Sequence, residues 1–349
     1  MASLDDRPIP GSGPLLPPGP IPGRNPGEDR TMTLENPPYR PAAGEAPDRD
    51  AAPPATTGLR ALAQRHLSKL VVAPSFAAIL LFVYGFILWT AYISFTNSRM
   101  LPSYELVGTD AFTKLWRIER WYVAIENLLI FGGLFIGISL VVGIVLAVLL
   151  DQRIRGEGVL RTIYLYPMAL SFIVTGTAWK WILNPTIGIQ EFVRGLGFPT
   201  FTFDWIVQQD TAVYTLVIAA VWQSSGFVMA LFLAALRGVD QEIIKAAYLD
   251  GASLPRIYWG IVLPSVRPVF MSAFVILAHL AVKSYDLVVA LTGGGPGYAS
   301  DLPATFMYEM TFRRNQIAIG SASALMMLAT VVAIIVPYLY SELKGGKRV

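Results

Sequence analysis

Four stretches of this chain run for 24 residues or more without one charged side chain. They are Leu70–Thr96 (27 residues), Asn127–Leu150 (24), Thr211–Leu236 (26) and Asn315–Ser341 (27). A helix rising about 1.5 Å per residue needs roughly 20 apolar residues to cross the ~30 Å hydrocarbon core of a bilayer. Each of the four is long enough. Two further runs are less pure. Thr162–Leu183 has 18 uncharged residues before Lys180, with Pro167 placed to bend it, and Pro268–Leu291 carries Lys283 and Asp286 in its second half. Lys180 is close enough to the end of its run to snorkel to the interface. Trp89, Tyr92, Trp121, Tyr122, Trp181, Tyr338 and Tyr340 cluster at the ends as interfacial anchors. The expectation is an all-α integral membrane protein with six transmembrane helices, in keeping with 54% hydrophobic and 15% charged residues.

Residues 1–58 differ sharply in composition. They hold 14 of the 25 prolines and little aliphatic periodicity, and their eight acids against five arginines leave +6 for the remainder. Such a segment buries too little apolar surface to offset its ordering entropy, so residues 1–60 read as a disordered, proline-rich tail rather than a domain. No basic stretch followed by an apolar run opens the chain, so the tail is not a secretory signal. Thirteen Lys and Arg flank the spans on one side of the membrane and seven on the other. The positive-inside rule then makes both termini cytoplasmic. Residues 61–123 comprise the first span and an extracytoplasmic loop, 124–341 a core, 237–267 a cytoplasmic loop within it, and 342–349 a short cytoplasmic tail.

Several chemistries are excluded at once. With no cysteine and two histidines, His66 and His279, neither a thiolate nor a multi-histidine metal site can be built. The chain has no G-x-x-x-x-G-K-[ST] phosphate loop, no H-E-x-x-H and no G-x-S-x-G. A net charge of +3 gives no argument for nucleic acid. The run Gly293–Gly297 ends a span rather than opening a helix after a strand, so it reads as a cap. Gly133-x-x-x-Gly137 and Gly143-x-x-x-Ala147 read as helix-packing surfaces.

The loop from Arg237 to Arg267 carries the most information. Asp240 is placed to cap a helix over 241–249 with Ile243, Ile244 and Ala247 on its apolar side. Asp250-Gly251 makes a turn. Ser253 is placed to cap a second helix with Ile257, Tyr258, Ile261 and Val262 on one face, stopped at Leu263-Pro264. Two short amphipathic helices at an elbow have no core of their own. Their few charges favour docking into a protein groove over a lipid surface.

Lys245-Ala246-Ala247, Asp250-Gly251-Ala252, Tyr258 and Ile261-x-Leu263-Pro264 together resemble the E-A-A-x-x-D-G-A…F-x-x-I-x-L-P loop of ABC importer permeases. Lys245 stands where that family usually has Glu, and Tyr258 where Phe is common. Trp222–Phe227 and Tyr285–Pro296 are similar to the carbohydrate importers, in particular the larger permease of the maltose and glycerol-phosphate type pairs. The resemblance covers about residues 70–340. It implies a type I permease fold with a coupling-helix elbow, in which Lys245, Ala246, Ala247, Asp250, Gly251, Ala252, Tyr258 and Pro264 meet the ATPase. It also implies a multi-pass protein of the bacterial inner membrane. The partners would be a second permease in a heterodimer, two ATPase subunits that hold ATP and Mg, and an extracytoplasmic sugar-binding protein. This chain itself would hold no cofactor, and the leading cargo is a monosaccharide such as glucose.

Polar groups inside apolar spans are costly, which makes them candidates for a substrate path. His279, Lys283 and Asp286 fall at i, i+4 and i+7, on one face if the fifth span is one helix. Lys283 and Asp286 are equally placed to neutralise each other, and His279 to bond between helices. Trp179, Trp222 and Tyr285 suit sugar C–H faces or an interfacial belt. Gln223, Ser224 and Ser225 suit hydroxyls or helix joining. Two other classes compete: a membrane-embedded glycosyl-transfer enzyme using Asp286, and a proton-coupled transporter using Lys283 and Asp286.

Overall fold

A computed structural model describes residues 72–152 and 154–345, with side chains as far as 340. The expected tail over 1–60, the start of the first span and the last four residues lie outside the described residues. Among the described residues the chain is helical, with one isolated bridge between Thr96 and Leu106 and no strand.

Four helices are long and apolar enough to cross a membrane: α1 (Val72–Ser94), α3 (Glu119–Asp151), α7 (Ala212–Arg237) and α13, which is Ile317–Tyr340 in its apolar part. A short helix α2 (Asp110–Leu115) lies between the first two. Two bent pairs, Glu157–Ala169 with Phe172–Ile182 and Leu254–Ser265 with Arg267–Val282, raise the count of spans to as many as six, the second beginning at Leu254 rather than at the expected Pro268.

The centre of the fold is the long seam between α3 and α7. A Cβ at Gly143 would overlap the Val228 side chain, so this glycine permits the close approach. Ala147 is fully buried in the same seam. Gly133 and Gly137 behave differently: among the described residues nothing lies within 4 Å of a Cβ built at either, so the expected packing surface there meets no described helix. Phe131, Phe135, Val228, Met229, Phe232 and Leu233 form the heart of the main core. A second core gathers Leu115, Trp121, Phe306, Met310 and Ala322. Trp121 is 2% exposed and lies 5.1 Å from the Phe306 ring. It is therefore a core residue and not an interfacial anchor. Its apolar bulk is used inside the fold, where few side chains fill as much space.

The third span is broken rather than bent. Helix α4 (Glu157–Leu165) tightens into a 3-10 turn over Tyr166–Ala169, and α5 (Phe172–Ile182) leaves at 102° to this combined segment. Pro167 supplies no amide, Leu170 turns extended, and the Ser171 hydroxyl caps the new helix by accepting from the Val174 amide. After α6 (Ile189–Gly195) the chain enters α7.

The fifth span departs further from expectation. Helix α10 (Arg267–Val282) stops, Lys283–Tyr285 intervene, and α11 (Asp286–Leu291) begins anew. His279, Lys283 and Asp286 consequently do not share one helical face. Lys283 is the C-cap of α10 and Asp286 the first residue of α11, with no ion pair between them among the described residues. Helix α12 (Pro303–Tyr308) and a π turn over Glu309–Arg313 lead to α13.

Candidate functional site

The elbow is built from two helices, α8 (Gln241–Leu249) and α9 (Leu254–Ser265). The Asp240 carboxylate accepts from the Glu242 amide at 2.9 Å, which caps α8 as expected. At its other end the Gly251 amide donates to Tyr248 O and the Ala252 amide to Ala247 O, both at 3.0 Å, with Gly251 at φ +78°. This is a complete Schellman closure, with Ala247 and Ala252 meeting on the core side. The motif's spacing now has a physical reading. Ala247 and Ala252 are the small contacts of the cap, and Gly251 is the residue able to take its left-handed backbone.

Three details of the elbow differ from expectation. Ile243 is 51% exposed, so only Ile244 and Ala247 of the expected trio turn inward. Ser253 occupies the N-cap of α9 without a side-chain hydrogen bond. Leu263-Pro264 does not stop α9, which continues to Ser265 and breaks at Val266 by 65°. A wider π turn over Tyr258–Val262 lies just before Pro264, where the proline leaves a backbone bond unmade. Lys245 pairs with Glu242 at 2.8 Å on the surface, where such a pair contributes little. Ala246, Asp250 and Pro264 are exposed. Leu249 and Trp259 are the most exposed apolar residues of the elbow, at 89% and 76%.

Tyr258 reaches from the elbow to the polar end of the bundle. Its hydroxyl donates to the Asp151 carboxylate and accepts from Gln152 Nε2 at 2.9 Å. Burial first, and then the bond to Asp151, push this phenol well above its usual range, so it remains a donor.

The substrate-path candidates fall into two groups. Trp179 on α5 and Trp222 on α7 meet edge to face at 5.9 Å. Beside them, Gln223 Nε2 donates to Leu170 O at 2.7 Å, satisfying a carbonyl at the break of the third span. Gln223 Oε1 is buried without a partner, and Ser224 is also buried. A Cβ at Gly226 would overlap Tyr164 O, so the segment from Trp222 to Gly226 is the backing of that break. The second group lines a cavity of about 400 Å³: His279, Lys283 and Tyr285, with Met307, Tyr308 and Met327. The Tyr285 and Tyr308 rings lie 4.9 Å apart. Asp286 does not line this cavity.

Sequence reasoning missed a buried network on the side of the fold opposite to the elbow. Arg120 Nε donates to Asp301 Oδ2 at 2.6 Å, its guanidinium lies 4.5 Å over the Tyr298 ring, and Glu309 stands 3.7 Å away. Asn127 Nδ2 donates to the carbonyls of Tyr298 and Asp301 at 3.3 and 3.0 Å. The loop opened by Gly293–Gly297 is thus tied to the start of α3. No local spacing announces the pairing, because its hydrogen-bonded partners lie 171 to 181 positions apart.

Residues 139–344 match the family described as binding-protein-dependent transport system inner membrane component. A probable ABC transporter permease of Pyrococcus horikoshii is 37% identical over 281 residues, covering 80% of this chain and 96% of the relative. A xylose/arabinose import permease of Haloferax volcanii is 35% identical over 268 residues, covering 76% and 84%. Among solved structures, a bacterial ABC transporter for import of the acidic polysaccharide alginate superposes with a TM-score of 0.72 at 18% identity, over 82% of this chain and 98% of that one. The fold is accordingly the type I importer permease fold. Homologues of this kind are transport subunits whose ATPase is separate, which removes the glycosyl-transfer alternative. The chain belongs to the binding-protein-dependent inner-membrane components, as an ABC transporter permease.

Proposed function

We propose that this permease forms half of the path by which a sugar, delivered by an extracytoplasmic binding protein, enters the cell. The other half is a second, non-identical permease, and two ATPase subunits with ATP and Mg dock on the elbow over 237–267. Both termini are cytoplasmic, residues 124–341 are the permease core, and the chain lies in the cytoplasmic membrane. The observation that carries this reading is the elbow itself. Leu249, the last residue of α8, and Trp259, within α9, are exposed, an apolar surface with no partner among the described residues. ATP-driven closure there would rock the two permeases and switch access about a central site.

A sugar cargo is supported by the xylose/arabinose permease of Haloferax volcanii and by a trehalose/maltose system permease of Thermococcus litoralis, 26% identical over 277 residues. These names span mono- and disaccharides, and a monosaccharide remains our choice of cargo. The Trp179–Trp222 pair supplies aromatic faces of the kind that stack on sugar C–H surfaces, and the Tyr285 and Tyr308 rings add two more beside His279 and Lys283. The test is uptake of labelled glucose, xylose, maltose and trehalose by cells carrying the full transporter, with and without this chain. Uptake of none of them, or uptake that survives loss of the ATPase partners, overturns the reading. The second outcome would favour ion-coupled transport.

A further inference from the structure

Three helix ends meet behind the elbow at its junction with the bundle. Asp151 closes α3, Arg237 closes α7 and Glu157 opens α4. Arg237 bonds Glu157 Oε1 at 2.7 Å and stands 3.9 Å from Asp151 Oδ1. Together with Gln152 and Tyr258 they line a polar cavity of about 620 Å³ between elbow and bundle. The apolar contacts of the elbow, Ala247, Ile257 and Val262, join the main core. Such contacts hold the elbow against the core without fixing a direction. The one directional link from an elbow side chain to these helix ends, among the described residues, is the Tyr258 hydroxyl on Asp151 and Gln152. It sits at the start of the π turn, a point where a helix yields readily. A Phe at this position would keep the ring packing and lose the link.

We propose that Tyr258 is a positioning residue: its hydroxyl fastens the elbow to the cytoplasmic end of α3, and through Asp151 to Arg237 and Glu157, so that elbow displacement is delivered to α3, α7 and α4 together. This rests on the reading of 237–267 as the ATPase-docking elbow and adds the route by which force leaves it. The bond is charge-assisted and half-buried, hence stronger than an ordinary surface contact.

Hydrogen–deuterium exchange on the complete transporter tests the link without knowledge of the cargo. Exchange is followed in the elbow and in residues 145–152, in the nucleotide-free state and after trapping with ATP and vanadate. In the native complex, trapping changes exchange in both segments. In Tyr258→Phe the elbow still responds, while the response of 145–152 shrinks about tenfold, the scale of one lost charge-assisted hydrogen bond. Asp151→Leu keeps the approximate shape, removes both acceptor oxygens while leaving Arg237 on Glu157, and reproduces the effect; it decides the matter if Tyr258→Phe fails to assemble. A full response of 145–152 in either assembled variant overturns the link. So does a native complex in which the elbow responds and 145–152 does not, although the elbow would keep its role. A native elbow that ignores trapping removes the docking reading, and the link with it.

Discussion

Arg120 and Asp301, 181 positions apart, form a 2.6 Å ion pair in which the Asp301 carboxylate is 1% exposed. Asp301 Oδ1 also accepts from the Thr305 hydroxyl, so both of its oxygens are used. The pair fixes the loop after α11 against the entry to α3, and through Glu309 it reaches the approach to α13. Two broken spans need such ties, because an interrupted helix loses the stiffness of a continuous one.

Arg120→Ala leaves a buried carboxylate with its hydroxyl bond alone, and should destabilise the protein by about 3–5 kcal/mol. Asp301→Asn alone should also be harmful, because it leaves the guanidinium only Glu309 at 3.7 Å and the face of Tyr298. The double variant Arg120→Met/Asp301→Asn should recover most of the loss. Thermal unfolding of the purified chain in detergent measures all three. A double variant that loses the sum of the two single losses would show that the residues do not act as a pair.

The sequence exposes what depends on local patterning. The uncharged runs mark the spans, and Asp240 and Gly251 mark the ends of α8 to the residue. It hides what depends on tertiary competition. Pro167 announces a bend, but a 102° break requires Gln223 to satisfy Leu170 O and Gly226 to admit Tyr164, both from a helix about 50 residues away. The period of His279, Lys283 and Asp286 assumes a helix that ends at Val282, and the pattern loses its meaning at that point. Trp121 has the residue type and place of an anchor, and only packing reveals that it is core.

Gly226→Ala tests the backing of the third-span break. Its Cβ would overlap a backbone carbonyl, which has no rotamer by which to move aside. A loss of about 1–3 kcal/mol follows from overpacking. Gly133→Ala meets nothing within 4 Å and should be neutral or slightly stabilising in the isolated chain, by up to about 1 kcal/mol of helix propensity. Equal melting temperatures for the two variants would contradict this close approach.

Lys283 and Asp286 make no ion pair with each other, so neutralising one should not strand the other. Lys283→Met and Asp286→Asn should each reach the membrane at native levels. If Lys283 meets the cargo in the cavity beside Tyr285, only Lys283→Met should weaken apparent affinity, by roughly tenfold to a hundredfold. Immunoblots of membranes and uptake kinetics separate the two effects. Protein lost in either single variant and restored in the double would reinstate the ion pair.

Gly251 tests the elbow turn most directly. Its backbone sits at φ +78°, and a Cβ there meets no neighbour within 4 Å, so any penalty is conformational and not a clash. A β-branched residue resists this region most strongly, at a cost on the order of 1–3 kcal/mol. Asn adopts it more readily. Gly251→Val should therefore insert normally but lose the Schellman closure, freeing Ala252 from Ala247 and shifting α9 relative to α8. ATP-driven uptake and co-purification of the ATPase should fall in the order Gly, Asn, Ala, Val, while membrane levels stay constant. A steric explanation predicts no penalty at all, since the space is open. Native uptake and ATPase binding in Gly251→Val would remove this turn from the coupling mechanism.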